Sequence, residues 1–300
     1  MYKSFFGFSD RPFSLLPDAN FLFLSKRHRQ VINLLEYGNL NQCGFVVITG
    51  EVGSGKTTII RHFLKHLDES MTVGVITNPS QSFGPMLGWI ARSFSLDVTA
   101  HDDAALYHRF VDFLLAEYAR GKRVVLIIDE AQNLSSQMLE DLRMLSNVNN
   151  ETDQLIQIVL VGQPELLETL KRPDLRQFVQ RIAVHSHLIP LEAQETAAYI
   201  RHRLSVVGGV HYLFDDITCA AVHFFSHGMP RLINLICDQA LVYAYAEEEK
   251  FVTFDAVLEV VRERNGAGLS AFRPIVNDQA NDALLIELEP VVNQIRQAAA

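Results

Sequence analysis

The chain has 300 residues, of which 48% are hydrophobic and 20% charged, with a net charge of −9 from 26 basic and 35 acidic side chains. That is enough apolar material for one large core and a smaller one, and it excludes a mainly disordered chain. The acidic balance argues against a uniformly cationic nucleic-acid binder, and three distant cysteines, Cys43, Cys219 and Cys237, exclude a disulfide framework and point to a reducing compartment.

The opening, MYKSFFGFSDRPF, is aromatic but meets Asp10 and Arg11 before any apolar run can form, which is not the pattern of a signal peptide. Apolar runs such as Val124–Ile128 are strand-sized, far short of the ~18 residues that span a bilayer, so a soluble cytoplasmic protein is expected. Lys26-Arg27-His28-Arg29 reads as the solvated start of a helix, with contact to nucleic-acid phosphates as the other reading. From about residue 30 to 190, strand and helix patterns alternate. Phe45–Thr49 is a short buried strand, followed by a Gly-rich turn and a helix over Lys56–Leu67. Thr72–Thr77 is a second strand, Phe83–Phe94 and Asp103–Arg120 are helices, and Arg123–Ile128 is a third strand, apolar on both faces. A helix over Ser135–Ser146 follows, with Ser135 or Ser136 as its cap, then a fourth strand over Leu155–Val161 and a weaker fifth over Ile182–Leu188. This alternation predicts an α/β fold with a parallel sheet flanked by helices.

The pattern changes at Pro190. Glu192–Val206, Asp215–Ser226, Pro230–Ala246 and Thr253–Arg264 all read as helices, which predicts a small all-helical domain. The expected division is an α/β domain over 1–189, whose first 40 residues form an N-terminal segment, a helical domain over 190–265, and a linker and tail over 266–300. In the tail, Ala283–Ala298 carries an apolar periodicity interrupted by Pro290.

Gly50-Glu51-Val52-Gly53-Ser54-Gly55-Lys56-Thr57 matches the pattern G-x-x-x-x-G-K-[ST] between the first strand and its helix, and Thr58 continues it. Glycines let the backbone wrap phosphate oxygens, and the helix N-terminus adds its positive end. Lys56 is expected to reach the β- and γ-phosphates and the Thr57 hydroxyl to ligate Mg²⁺. Val124–Glu130 (VVLIIDE) is the matching second half: the strand delivers Asp129 to the sheet's carboxyl edge as a Mg²⁺ partner, and Glu130 can act as general base toward a water. Metal binding by the spaced pairs His62/His66 and His223/His227 is disfavoured, because neither has a third ligand in a zinc pattern, and His185/His187 read as surface residues.

GEVGSGKTT, VVLIIDEAQ, IVLVGQPEL, LRQFVQRI and GMPRLINLICDQAL, in this order, resemble AAA+ ATPases, and more narrowly the ExeA/GspA and MshM group that serves type II secretion and type IV pilus assembly. The opening YKSFFGFSDRPFSLLPDANFLFLS resembles the same group, so the likeness covers about residues 2–262. The resemblance implies an AAA+ core with a helical lid that binds ATP and Mg²⁺. It places Gln163 at sensor 1, unless that amide merely satisfies a strand end, and Asn78 as a restraint on the base, unless it is only a turn residue before Pro79. It places an arginine finger at Arg181 or Arg176, with local pairing to Asp174 or Glu168 as the alternative, and Arg231 at sensor 2 of the lid, with a surface role as the alternative. Phe5–Phe13 either covers the adenine or packs in a core.

A finger in trans implies a homo-oligomer, expected as a hexamer, and the family implies a membrane-protein partner in an envelope machine, with the ATPase cytoplasmic or peripheral at the inner membrane. Members of the GspA type carry a transmembrane segment and a peptidoglycan-binding domain after the ATPase; this sequence is therefore expected to resemble the shorter MshM-like members, to rely on a membrane partner, or to be a piece of a longer protein. The alternatives are a DNA-binding transposition regulator of the same lineage, using Lys26–Arg29, Arg61 and Lys65, an exopolysaccharide- or exosortase-associated ATPase, or a nucleotide-dependent switch.

Overall fold

The computed structural model describes residues 1–16, 18–41, 43–80, 84–98, 103–150, 153–268, 271–275 and 281–299. In chain order the elements are α1 (Tyr2–Phe6), α2 (Lys26–Leu40), β1 (Phe45–Gly50), α3 (Lys56–Lys65), β2 (Met71–Thr77), α4 (Met86–Ser93), α5 (Asp103–Ala119), β3 (Arg123–Asp129) and α6 (Ser136–Leu145). Then come β4 (Asn149–Asn150), β5 (Asp153–Gln154), β6 (Ile156–Gly162), α7 (Glu165–Leu170), α8 (Arg176–Val179) and β7 (Ile182–Leu188). The remainder is helical: α9 (Ala193–Val206), α10 (Asp216–Ser226), α11 (Pro230–Ala246), α12 (Phe254–Gly266) and α13 (Asn281–Ala299). The expected helix start at Phe83 and residues 269–270 and 276–280 of the expected linker lie outside the described residues. No helix among the described residues is long and apolar enough to cross a membrane.

Residues Lys26–Val52 and Ile59–Leu188 form one compact unit. Its sheet has the order β2-β3-β6-β1-β7, with every pair parallel. The central strands are apolar on both faces because each face has its own core. Val124, Leu126, Ile128, Ile158 and Leu160 meet Ile90, Phe110, Leu114, Leu139 and Leu142 from α4, α5 and α6. Val125, Ile127, Val159 and Val161 meet Val31, Leu35, Ile59 and Phe63 from α2 and α3. Each such side chain contributes about 1.5–3 kcal/mol when fully buried. Ser135 caps α6, its hydroxyl accepting from the Met138 N–H at 3.2 Å, which resolves the alternative with Ser136. Thr49 lies beside Gly162 and Thr77 beside Asp129, so the chain leaves β1, β2, β3 and β6 at one common edge.

The other compact unit combines Met1–Ser25, Gly53–Thr58 and Ile189–Ala300. Its core joins α9 to α13 with Tyr2, Phe8, Phe13 and Phe21, all buried, so these opening aromatics are packing residues. Phe13 is 1% exposed and meets Phe214 edge-on at 5.8 Å. In α13, Leu284, Leu288, Val292 and Ile295 recur at helical spacing and are buried in this core. Pro290 removes the N–H that would serve the Ile286 carbonyl, but Ile286 is 72% exposed, so the loss falls on the solvent side and the helix continues. Cys219 and Cys237 are buried thiols; burial pushes Cys219 up to about 12 and Cys237 well above the usual thiol range, which makes them inert packing groups.

Arg203 on α9 pins the N-terminal segment. It is 6% exposed, and its Nε donates to the Pro12 carbonyl at 2.5 Å, Nη1 to the Tyr199 hydroxyl at 2.8 Å and Nη2 to the Ser14 carbonyl at 3.3 Å. Its guanidinium also lies 4.6 Å from the centre of the Phe21 ring. Arg203→Ala removes all four contacts and leaves buried acceptors unsatisfied, so unfolding in urea should show a loss of about 2–4 kcal/mol. A loss below ~1 kcal/mol would mean that the segment is held by its aromatic residues alone.

Candidate active site

The glycine-rich loop begins where β1 ends at Gly50, with Glu51 and Val52 exposed. Gly53 has φ +84° and Gly55 φ +98°, a backbone region open mainly to glycine. A Cβ on Gly53 would fall 2.4 Å from the Arg231 Cβ, and the Arg231 N–H donates to the Gly53 carbonyl at 3.2 Å. The sensor 2 candidate therefore sits against the loop, its residue exposed, at the first turn of α11. Pro230 at the start of that helix needs no hydrogen-bond partner, which suits this position.

Ser54 is 2% exposed, and its Oγ is buried without a hydrogen-bond partner. Lys56 is 7% exposed and is the first residue of α3, where the helix presents its open N–H groups. Thr57 and Thr58 follow, half-buried. An orphaned hydroxyl, glycines at positions closed to a side chain, a buried ammonium and a helix N-terminus fit the phosphates of a nucleotide. The donor chemistry of the Thr57 hydroxyl and the Asp129 carboxylate, both hard oxygens, fits Mg²⁺.

At the carboxyl end of β3, Asp129 is 7% exposed and its Oδ1 accepts from the Glu130 N–H at 3.0 Å. Glu130 has φ +56° and ψ +40°, a left-handed backbone that costs a non-glycine residue energy and is kept where the surroundings impose it. Two amides reach its carboxylate: Gln132 Nε2 donates to Oε2 at 2.5 Å and Gln163 Nε2 to the same oxygen at 3.2 Å. The Gln163 backbone N–H in turn donates to Gln132 Oε1 at 3.0 Å. Asn78, also left-handed at φ +54°, accepts from Asn133 Nδ2 at 2.9 Å. Gln132 is the residue that sequence reasoning passed over, although it lies inside VVLIIDEAQ, two positions after the base; its contact depends on the tight turn Ala131–Asn133.

Arg181 Nη1 donates to Ser146 Oγ at 3.2 Å, whereas Arg176, at the start of α8, is exposed. The carboxylates considered as their local partners are engaged elsewhere: Asp174 pairs with Arg172 at 3.1 Å and Glu168 with Lys171 at 2.7 Å. His185, exposed as expected, and the half-buried His187 both reach the buried Thr49, with Nε2 and Nδ1 at 3.2 and 2.9 Å from its Oγ1. Burial, then the neighbouring His187, holds the His185 imidazole below its usual range. His62 and His66 have ring centres 4.1 Å apart with planes tilted by 42°, and no group of three or more metal-ligating side chains occurs among the described residues.

Residues 39–170 match the family described as AAA domain. The chain is 44% identical over 247 residues, 82% of its length, to General secretion pathway protein A of Aeromonas hydrophila, of which this covers 45%. It is 29% identical over 144 residues, 48% of its length, to the Mu-like prophage FluMu DNA transposition protein B of Haemophilus influenzae, of which this covers 46%. The chain thus spans about half the length of these curated relatives. Among solved structures, the Aeropyrum pernix ORC2 protein is similar with a TM-score of 0.62 at 18% identity, over 90% of this chain and 73% of that one, a likeness of fold. The parallel sheet with its phosphate-loop motif and the C-terminal helical region thus belong to a chain that carries an AAA domain and is related to General secretion pathway protein A.

Proposed function

We propose that this protein is an ATPase that works as a homo-oligomer, expected as a hexameric ring, and uses ATP hydrolysis to assist assembly of a bacterial secretion or pilus machine at the cytoplasmic face of the inner membrane. The observation that carries the nucleotide reading is the buried, unpartnered Ser54 Oγ within a glycine loop that Arg231 closes from the lid side. Gly50 to Gly55 wrap the phosphates, with the Glu51, Val52 and Thr58 backbone completing the cradle, and Lys56 offsets phosphate charge. Thr57 and Asp129 are the residues that would hold Mg²⁺, which when bound neutralises charge on the phosphate oxygens. Glu130 takes a proton from the attacking water, and Gln163 orients that water against the γ-phosphate. Arg231 couples the helical lid to the loop, and Arg181 or Arg176 serves the neighbouring subunit.

The envelope role rests on the 44% identity to General secretion pathway protein A. A DNA-associated reading is favoured by one further observation, the likeness to the transposition protein, together with exposed Lys26, Arg27 and Arg29 at the start of α2. Solution mass of Glu130→Gln with Mg·ATP, with and without duplex DNA, separates the two. A discrete ring indifferent to DNA is the expected result; large, salt-sensitive assemblies that form only on DNA would replace the envelope reading.

Lys56→Met tests the phosphate site by thermal melting. A ligand at ~100 times its Kd stabilises by about 2.7 kcal/mol, roughly 4 °C for a protein of this size. The variant should lose that ATP-induced shift, each protein being compared with its own melting temperature without nucleotide. A full ATP-induced shift in the variant would remove Lys56 from the phosphate site.

A further inference from the structure

We propose that Gln132 is the positioning residue of the hydrolytic base: its side-chain amide anchors the Glu130 carboxylate by one oxygen and ties it to the backbone at Gln163. The proposal deepens the reading of Glu130 as the base and rests on it. Gln132 Nε2 donates to Glu130 Oε2 at 2.5 Å, and its Oε1 accepts the Gln163 N–H at 3.0 Å. Gln163 Nε2 donates to the same Glu130 oxygen at 3.2 Å, so two side-chain amides meet one carboxylate oxygen and the Gln163 N–H closes the triangle of three residues.

The geometry assigns the two ends of Gln132 different tasks. A carboxylate held at Oε2 by two neutral donors keeps its orientation and turns Oε1 toward the water whose proton it takes. The carbonyl end fixes the backbone immediately after β6, which also carries the side chain expected to sense the γ-phosphate. A movement of Gln163 toward a phosphate therefore pulls on the group that orients the base, which couples nucleotide sensing to base geometry. Only glutamine can donate with one end and accept with the other at this reach; glutamate accepts at both ends and alanine at neither. Packing is close on the side of the neighbouring strand: a Cβ on Gly162 would lie 3.1 Å from Gln132 Oε1 and 3.2 Å from its backbone N, so the amide fits against a residue that has no side chain. Asn78, the residue expected to restrain the base, spends its amide oxygen on Asn133, and the amides that reach Glu130 are those of Gln132 and Gln163.

The test is steady-state ATPase kinetics of Gln132→Ala and Gln132→Glu beside Glu130→Gln, with the ATP-induced thermal shift as a check on fold and binding. Groups that orient a reacting side chain are worth about 10–100-fold, so Gln132→Ala should lower kcat by that factor with KM for ATP within about two-fold. Gln132→Glu has the same shape but no amide N–H to donate to the Glu130 carboxylate, so it should lower kcat by a similar factor with KM for ATP again within about two-fold. A residue with only a packing role would keep its kcat in this isosteric variant. A kcat equal to that of the native protein in Gln132→Glu or in Gln132→Ala overturns the proposal if Glu130→Gln is inactive. If Glu130→Gln turns over normally, the reading of Glu130 as base fails instead, and the proposal falls with it.

Discussion

Glu130→Gln should bind ATP with the affinity of the native protein and hydrolyse it about 10²–10⁴-fold more slowly. The substitution keeps the shape of the side chain and an acceptor oxygen for the amides of Gln132 and Gln163, so the turn after β3 is retained. What it removes is the group that takes a proton from water. Asp129 is untouched, and its Oδ1 still accepts the backbone N–H of residue 130. Binding and chemistry should therefore separate: an unchanged ATP-induced thermal shift with turnover near background. Single-turnover rates measured on the bound nucleotide give the direct comparison. A rate within about three-fold of the native protein would place the base elsewhere.

Arg181→Ala is expected to lower turnover about 10³-fold with ATP binding and assembly intact, because a guanidinium supplied by a neighbour acts on charge that develops in the transition state. Arg181 comes just before β7, anchored through Ser146, which is 1% exposed and so a firm support. Arg176 is the exposed competitor. With Asp174 and Glu168 engaged by Arg172 and Lys171, local charge pairing does not account for either candidate. Mixing provides the decisive measurement. An Arg181→Ala subunit keeps its own Glu130, and a Glu130→Gln subunit keeps its arginine, so a mixed assembly contains sites in which both are present. Activity should reappear on mixing two nearly inactive proteins. No recovery would mean that the arginine acts within its own subunit or not at all, and normal turnover of assembled Arg181→Ala would give the role to Arg176.

The relation between these tests and the Gln132 variants is informative. Gln132→Ala acts through the base, so combining it with Glu130→Gln should produce little further loss, whereas combining it with Arg181→Ala should produce nearly the product of the two effects.

The sequence alone determined the elements whose cause is local. β1, β3 and β6 are legible because their continuous apolar runs suit a strand covered on both faces, and the phosphate loop is legible because glycine, lysine and threonine are needed there at fixed spacing. Pro230 and the capping residue Ser135 likewise announced their helices. The α1 helix, the short β4–β5 pair and the short helices α7 and α8 were not foreseen, since a few residues cannot establish a periodicity. The tail was ambiguous because Pro290 breaks the local rule, and α13 forms because burying Leu284, Leu288, Val292 and Ile295 offsets one missing hydrogen bond. Only the tertiary structure decided which side chains meet. It placed Phe8 and Phe13 in the core of the C-terminal helices, drew His185 and His187 onto Thr49, set Arg231 against Gly53 and gave the contact with Glu130 to Gln132. These outcomes depend on strand order and turn geometry, and pairings between residues up to about two hundred positions apart leave no local signature in the chain.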